Sequence, residues 1–437
     1  MKYTPNSPTV VEDMLRSTGF SSLDELFTDI PEAIKLKREL NLGSGRGEIE
    51  LTRELKGLAA KNLTTEDYAC FLGAGAYDHY IPAAIDQLLL RSEFYTAYTP
   101  YQAEISQGIL QSIFEYQSMI CLLTGMDVAN ASMYDGGSAL AEACNLACTN
   151  AKGKKVLLPD TVHPEYVQVL KTYAISGKMD IVTVPSDRGV SDLDKMISLV
   201  DKDTACVVIQ QPNFFGHLEE VEKLADAVHG QKGFLVMAVD PISLAILKPP
   251  AELGADIVVG EGQPLGNSLS FGGPYLGFFA ASKKFLRKLP GRIVGQTTDT
   301  EGRRAFVLTL QAREQHIRRE KASSNICSNQ ALNALAATMY LTLIGSTGLQ
   351  AIATRCHQLA VYAAQELEKA GLKLKYQHPF FREFAVLMDD PAGVNDRLLQ
   401  NGIIGGYELP DAMLLAFTEK RTRAEIDRLV AVLGGRA

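Results

Sequence analysis

The feature that most restricts how this chain can fold is an alternation that begins near Met126 and runs on past Val259. Short runs rich in β-branched residues, Val156–Leu158, Ile181–Val184, Cys206–Ile209, Phe234–Val239 and Asp256–Val259, are separated by stretches with helical periodicity. Parallel neighbours in a sheet cannot be joined by a tight turn, and a helix is their usual crossover. The alternation therefore predicts a mostly parallel sheet covered by helices. Sheets of this kind bind ligands outside the carboxyl ends of their strands. Asp160, Gln210-Gln211-Pro212-Asn213, Asp240-Pro241 and Glu261-Gly262-Gln263 stand at those ends, which makes that edge the expected functional one.

The flanks differ from this centre. Residues 1–80 read as a helical arm or small lobe, with capping-box patterns Thr9-Val10-Val11-Glu12 and Ser22-Leu23-Asp24-Glu25 opening apolar-periodic runs. A glycine-rich interruption, Phe71 to Tyr77, closes it, and the Tyr- and Gln-rich stretch Phe94 to Gln117 suits a surface that a partner buries. A large α/β domain is expected over 81–328 and a small α+β domain over 329–437. The latter carries a helix from Gln330 to Leu343, strand-like segments at Lys373–Tyr376, Glu383–Met388 and Met413–Phe417, a helix at Val394–Asn401, and a last helix opened by Thr422-Arg423-Ala424-Glu425.

Composition removes several function classes. A net charge of −8 leaves no basic footprint for a phosphate backbone, so nucleic acid is not an expected partner. No run of 18 apolar residues and no signal-like start is present, which predicts a cytoplasmic chain without membrane contact. Seven thinly spread cysteines predict reduced thiols rather than a disulfide framework. Cys144 and Cys148 would share a helix face, but no second ligand pair follows at a metal-site spacing, so no metal is expected.

Four segments carry candidate chemistry, each with a plainer alternative. Gly136-Gly137-Ser138 follows Tyr134-Asp135 and enters a helix, where exposed N–H groups can hold a phosphate; an ordinary strand-to-helix turn with Ser138 near the N-cap has the same pattern. Asp240 is placed to pair with a protonated ring nitrogen, or to cap the turn before Pro241. His163, before Pro164, could lie over a flat cofactor, act as acid or base, or serve as a hydrogen-bonded loop residue. Arg313 to Lys321 reads as a solvated helix face, followed by a polar hinge at Ser323–Asn329.

Five segments together resemble the glycine cleavage P-protein family. They are Tyr95-Thr96-Ala97-Tyr98-Thr99-Pro100-Tyr101-Gln102, Glu104-Ile105-Ser106-Gln107-Gly108, Asn130-Ala131-Ser132-Met133-Tyr134-Asp135-Gly136, Phe271-Gly272-Gly273-Pro274-Tyr275 and Gln311 to Lys321. The family occurs as one long chain with two related halves or as two chains, and this sequence resembles the separate N-terminal-half subunit. The resemblance implies the fold of fold-type I pyridoxal-phosphate enzymes. It also implies partners: a lysine-bearing second subunit, lipoyl H-protein, and glycine as substrate.

The sequence departs from the family's catalytic half where the cofactor lysine stands. By alignment of the segment that runs from Gly254-Ala255-Asp256 to Gln263, Pro264 takes the lysine's place, and proline has no side-chain amine for a covalent link to pyridoxal phosphate. Lys248, beside Pro249-Pro250, is the nearest substitute and reads as a solvated connection. The resemblance thus implies that pyridoxal phosphate is bound covalently by the partner and that this chain is inactive alone. Tyr95, Tyr98, Tyr101 and Gln102 are then the residues expected to face the partner's pocket, with Gly136, Gly137, Ser138, His163, Asp240 and Pro264 marking a degenerate cofactor site. Two other readings compete: a purely structural or regulatory subunit that stabilises the partner, and a self-sufficient enzyme using Lys248.

Overall fold

A computed structural model describes residues 5–94 and 99–435. By its internal contacts the chain divides between Leu63 and Thr64.

The first unit has two helices, Pro8–Thr18 and Glu48–Ala59. The first starts earlier than the Thr9 pattern suggests, because Ser7 accepts from Val10 N–H at 3.3 Å and Pro8 occupies the first helical position. Ser and Pro in that order satisfy a free N–H and preset φ at once. At the second pattern Glu25 takes the backbone N–H of Ser21, at 3.0 Å, instead of that of Ser22. Of the described residues in this unit only Leu15 is buried.

The second unit is built on a seven-stranded sheet. Its strands are β1 (Val128–Ala129), β2 (Lys155–Pro159), β3 (Asp180–Val184), β4 (Thr204–Gln211), β5 (Phe234–Val239), β6 (Ile257–Glu261) and β7 (Gly277–Ala281), in spatial order β1-β7-β6-β5-β4-β2-β3. Strands β2 to β6 pair in parallel and β7 runs antiparallel to both its neighbours. Successive residues point to opposite faces, and each face has its own core. Leu157, Val207, Leu235 and Val258 pack toward helices Gln107–Thr124 and Ala331–Lys369. Val156, Val208, Val236 and Val259 pack toward Gly136–Asn150 and Pro164–Ala174. Burial on both faces explains why these strands read as unbroken apolar runs in the sequence.

A second, antiparallel sheet follows, with Glu383–Leu387 and Tyr407–Leu409 on either side of Ala412–Ala416, covered by Pro391–Gln400 and Arg423–Leu433. Lys373–Tyr376 is not a strand and contributes a single bridge, Leu374 to Val386. Ala69–Cys70 pairs in parallel with Ile403–Ile404, so the glycine-rich segment after it starts from the small sheet. We propose the three-part division at residues 80 and 328 on the sequence pattern.

Helix Ala331–Lys369 is long and apolar enough by composition to cross a bilayer, and is the one such helix among the described residues. It is broken at Gly345, where φ is +64°, and Ala337, Tyr340, Ala353, Leu359 and Ala363 are buried within the protein. The charged run Arg313–Lys321 is not one solvated helix. It forms three short turns, with Arg319 at φ +52°, and Glu314 is buried.

Leu157 is fully buried on β2, one strand in from the edge of the sheet. Leu157→Ala is expected to cost about 2–5 kcal/mol in denaturant unfolding, against about 1 kcal/mol for Thr422→Ala, which removes the N-cap bond to Glu425 N–H.

Candidate functional site

The carboxyl ends of β4, β5 and β6 face the glycine-rich segment Gly75–Tyr77 and the strand entry Phe381–Glu383 across a cleft of about 550 Å³, its open mouth included. His163, Asp240, Pro264, Glu261, Arg382 and Glu383 line it, and no lysine is among the described residues that do. Sequence positions far apart thus meet at the edge that the strand order predicted.

At the end of β6 the Glu261 carboxylate sits at the N-terminus of helix Gly136–Asn150. Its Oε2 accepts from Gly136 N–H at 2.9 Å; its Oε1 accepts from Leu276 N–H at 2.9 Å and Gln263 N–H at 3.0 Å. A helix start presents free N–H groups and a partial positive charge, so an anion there is stabilised. Burial nevertheless dominates, raising the Glu261 pKa to about 7 against the pull of those three N–H groups. The helix itself is capped by Asp135, whose side chain accepts from Ser138 N–H at 2.7 Å while the Ser138 hydroxyl meets Asp135 N–H. Ser138 is therefore at the third helical position, with its hydroxyl spent on the cap.

Asp240 takes the turn-capping role, and its second oxygen meets an arginine where a ring nitrogen was the alternative. One oxygen caps the turn, accepting from Ile242 N–H at 2.8 Å, and the other is paired with the Arg382 guanidinium. Arg382, 2% exposed, also meets His79 Nε2 and lies 3.6 Å from the Tyr77 ring centroid. His79 Nδ1 in turn lies 2.6 Å from Glu419, whose other neighbours include Cys356 Sγ at 3.5 Å. His79, Cys356 and Glu419 form the one group with metal-ligand spacing among the described residues. Both ring nitrogens of His79 already have partners within the chain, Arg382 on Nε2 and Glu419 on Nδ1. Glu383 accepts from Ala74 N–H at 2.7 Å and from the Tyr77 hydroxyl at 2.8 Å. Burial raises its pKa to about 7 despite these bonds and the nearby guanidinium.

His163 takes the loop role and more. Its Nε2 meets Ala74 O at 2.8 Å, its backbone N–H donates to Gln210 at 2.8 Å, and its ring stacks on Tyr166 at 4.5 Å and 15°. Burial lowers its pKa, so the ring is neutral at ordinary pH. Gly75 has φ +104°, and a Cβ there would come within 2.7 Å of His163 Nε2, so only glycine allows this close approach.

His163, Asp240 and Pro264 are thus brought into one cleft, and Gly136 and Gly137 lie beside it at the helix start. Tyr101 and Gln102 are elsewhere, both exposed, with Tyr101 Oη 3.4 Å from Arg292 Nη2 and its ring 6.1 Å from that of His316. Tyr95 and Tyr98 lie outside the described residues. Lys248 is on the surface, paired with Glu222 at 3.3 Å. Sequence reasoning singled out none of Tyr77, Tyr166, Arg382 or Glu383, and read Glu261 only as a strand-end acid. The adjacent charges of Phe380-Phe381-Arg382-Glu383-Phe384, set among aromatics, were the available signal.

The model of the glycine cleavage system P-protein family matches residues 1–433. A probable glycine dehydrogenase (decarboxylating) subunit 1 of Syntrophomonas wolfei is 66% identical over 435 residues, covering 100% of this chain and 99% of that one. Its counterpart from Carboxydothermus hydrogenoformans is 59% identical over 442 residues, covering 100% of both. A crystal structure of glycine decarboxylase (P-protein) of the glycine cleavage system, in inhibitor-bound form, superposes with TM-score 0.94 at 42% identity over 100% of both chains. A sphingosine-1-phosphate lyase from Burkholderia pseudomallei shares the fold alone, with TM-score 0.65 at 17% identity over 92% and 93% of the two chains. The architecture is that of fold-type I pyridoxal-phosphate-dependent enzymes.

Pyridoxal phosphate needs an anion cradle, a carboxylate for its ring nitrogen, ring space beside a flat side chain, and a lysine amine. Here Glu261 fills the cradle, Arg382 holds the carboxylate, Tyr166 covers His163, and Pro264 lines the wall. The residues present do not fit the cofactor.

Two buried carboxyls with folded pKa values near 7 set a pH dependence. Between the unfolded value near 4.5 and about 7 the folded chain binds more protons, so stability is highest below that window and falls as pH rises through it. Glu383→Gln can keep both hydrogen bonds without titrating. Melting curves from pH 5 to 8 should show a falling midpoint in the wild type and a shallower fall in this variant; equal slopes would refute the assignment for Glu383.

Proposed function

The chain belongs to the glycine cleavage system P-protein family and is a first subunit of its two-chain type, and on that premise we propose that it is the non-covalent half of a shared cytoplasmic glycine decarboxylase site. In this reading a lysine of the second subunit binds pyridoxal phosphate. The cofactor, when bound there, supplies the electron sink for loss of CO2 from glycine, and the aminomethyl group passes to lipoyl H-protein. This chain's residues orient and enclose. The observation that carries the reading is the cleft itself, in which every charged wall group has a partner within the chain and no lysine is among the described lining residues.

Tyr101 and Gln102 support a role across the interface. Tyr101 is 55% exposed although its hydroxyl has the Arg292 guanidinium behind it, which polarises the O–H toward whatever it meets. Gln102 adds an exposed amide able to donate and accept. Tyr95 and Tyr98 belong to the same proposal from sequence. These side chains would fix the substrate's orientation and exclude water from the partner's pocket, functions that leave bond-making to the partner.

Glycine-dependent CO2 release is expected only when both subunits and H-protein are combined, with none from this chain plus pyridoxal phosphate. In the assembled enzyme Tyr101→Phe keeps the ring but removes the donor, and kcat/KM should fall roughly 10- to 100-fold while size-exclusion shows unchanged assembly. Unaltered turnover would favour the alternative, a structural or regulatory subunit that only stabilises its partner.

A further inference from the structure

The side chains that make the cleft unfit for a cofactor are not scattered losses. They stand in the places of the ligand's parts. Glu261 puts an anion on Gly136, Gln263 and Leu276 N–H groups at 2.9–3.0 Å, at the start of a 15-residue helix. Tyr166 lays a six-membered ring against His163 at 4.5 Å and 15°, and the same ring abuts Gly136, where a Cβ would come within 2.8 Å of Tyr166 Cζ. Arg382 puts a planar N–H cation on the Asp240 carboxylate. An anion, a flat ring and a cationic N–H donor, the three parts that an aryl phosphate with a protonated ring nitrogen carries, thus line one cleft.

We propose that Glu261, Tyr166 and Arg382 are built-in substitutes for phosphate, ring and ring nitrogen, and that they hold this chain's pocket shut against pyridoxal phosphate and related aryl phosphates. The inference rests on the shared-site reading and deepens it. Two anions cannot share one set of N–H donors, so a phosphate would have to expel Glu261 from bonds it already makes. It would also leave Arg382, 2% exposed, without its carboxylate if the ring nitrogen claimed Asp240. The Arg382–Asp240 pair has a structural consequence: Arg382 stands at the entry to the small sheet and Asp240 just past the end of β5 in the large one, so this contact also ties the two sheets together.

The test uses the assembled two-subunit enzyme with the partner's pyridoxal phosphate first fixed by borohydride reduction, which leaves this chain's cleft as the remaining site. The probe is pyridoxine 5′-phosphate, whose alcohol cannot link to a lysine, followed by equilibrium dialysis. The wild type is expected to take up none saturably. Glu261→Ser, which empties the helix start, should bind at least tenfold more tightly than wild type. Glu261→Gln, which keeps the side chain's size but removes its charge, should shift in the same direction. Saturable wild-type binding of one probe per copy of this chain would overturn the proposal even if neither variant folds. So would a variant with wild-type-like melting and no gain. Saturable probe binding by the wild type with the pyridoxyl label still confined to the partner would sink this inference while sparing the shared-site reading; label on this chain would sink both.

Discussion

A guanidinium cannot be buried alone. Arg382 is 2% exposed, and three neighbours at the cleft offset that burial. Asp240 supplies the counter-charge, His79 an acceptor nitrogen, and Tyr77 a ring face at 3.6 Å. Deleting one member of such a pair typically costs about 3–5 kcal/mol, because the other charge is left stranded. The constraint therefore reaches outward. Asp240 must stay at the end of β5, the glycine-rich segment must run close enough to bring Tyr77 and His79, and the small sheet must begin beside the large one.

That dependence explains how an enzyme-like fold persists here around a cleft that does not fit the cofactor. The strand edge, the helix start and the strand-end aspartate all remain, since each is also a structural element with backbone bonds to satisfy. Their polar groups are met by Glu261 and Arg382 from within the chain. A fold can keep its site geometry while its chemistry lies with a partner, and exposed positions such as Tyr101 are then where a contribution to that partner is to be sought.

The sheet was largely legible because both its faces are buried: five apolar runs in the sequence are five of the seven strands. The other two were not. Gly277–Ala281 has no β-branched residue, and Val128–Ala129 is two residues long, held by pairing to it. In the cleft, Asp240, His163 and Pro264 could be picked out because strand ends and family motifs mark them. Tyr77 and Glu383 could not, since they meet across 306 residues of sequence and no local pattern encodes such a contact. Helix starts were read to within about three residues, the errors arising where a proline at the first helical position lets an earlier residue cap, Ser7-Pro8 in place of Thr9 and Asp390-Pro391 ahead of Val394.

The central claim is that the covalent chemistry of this enzyme belongs to the other subunit. Borohydride reduction of the assembled enzyme carrying pyridoxal phosphate, followed by peptide mass mapping of pyridoxyl-lysine, addresses it directly. The account predicts label on one lysine of the partner and none on this chain. Stoichiometric label on a lysine of this chain, Lys248 included, would contradict it.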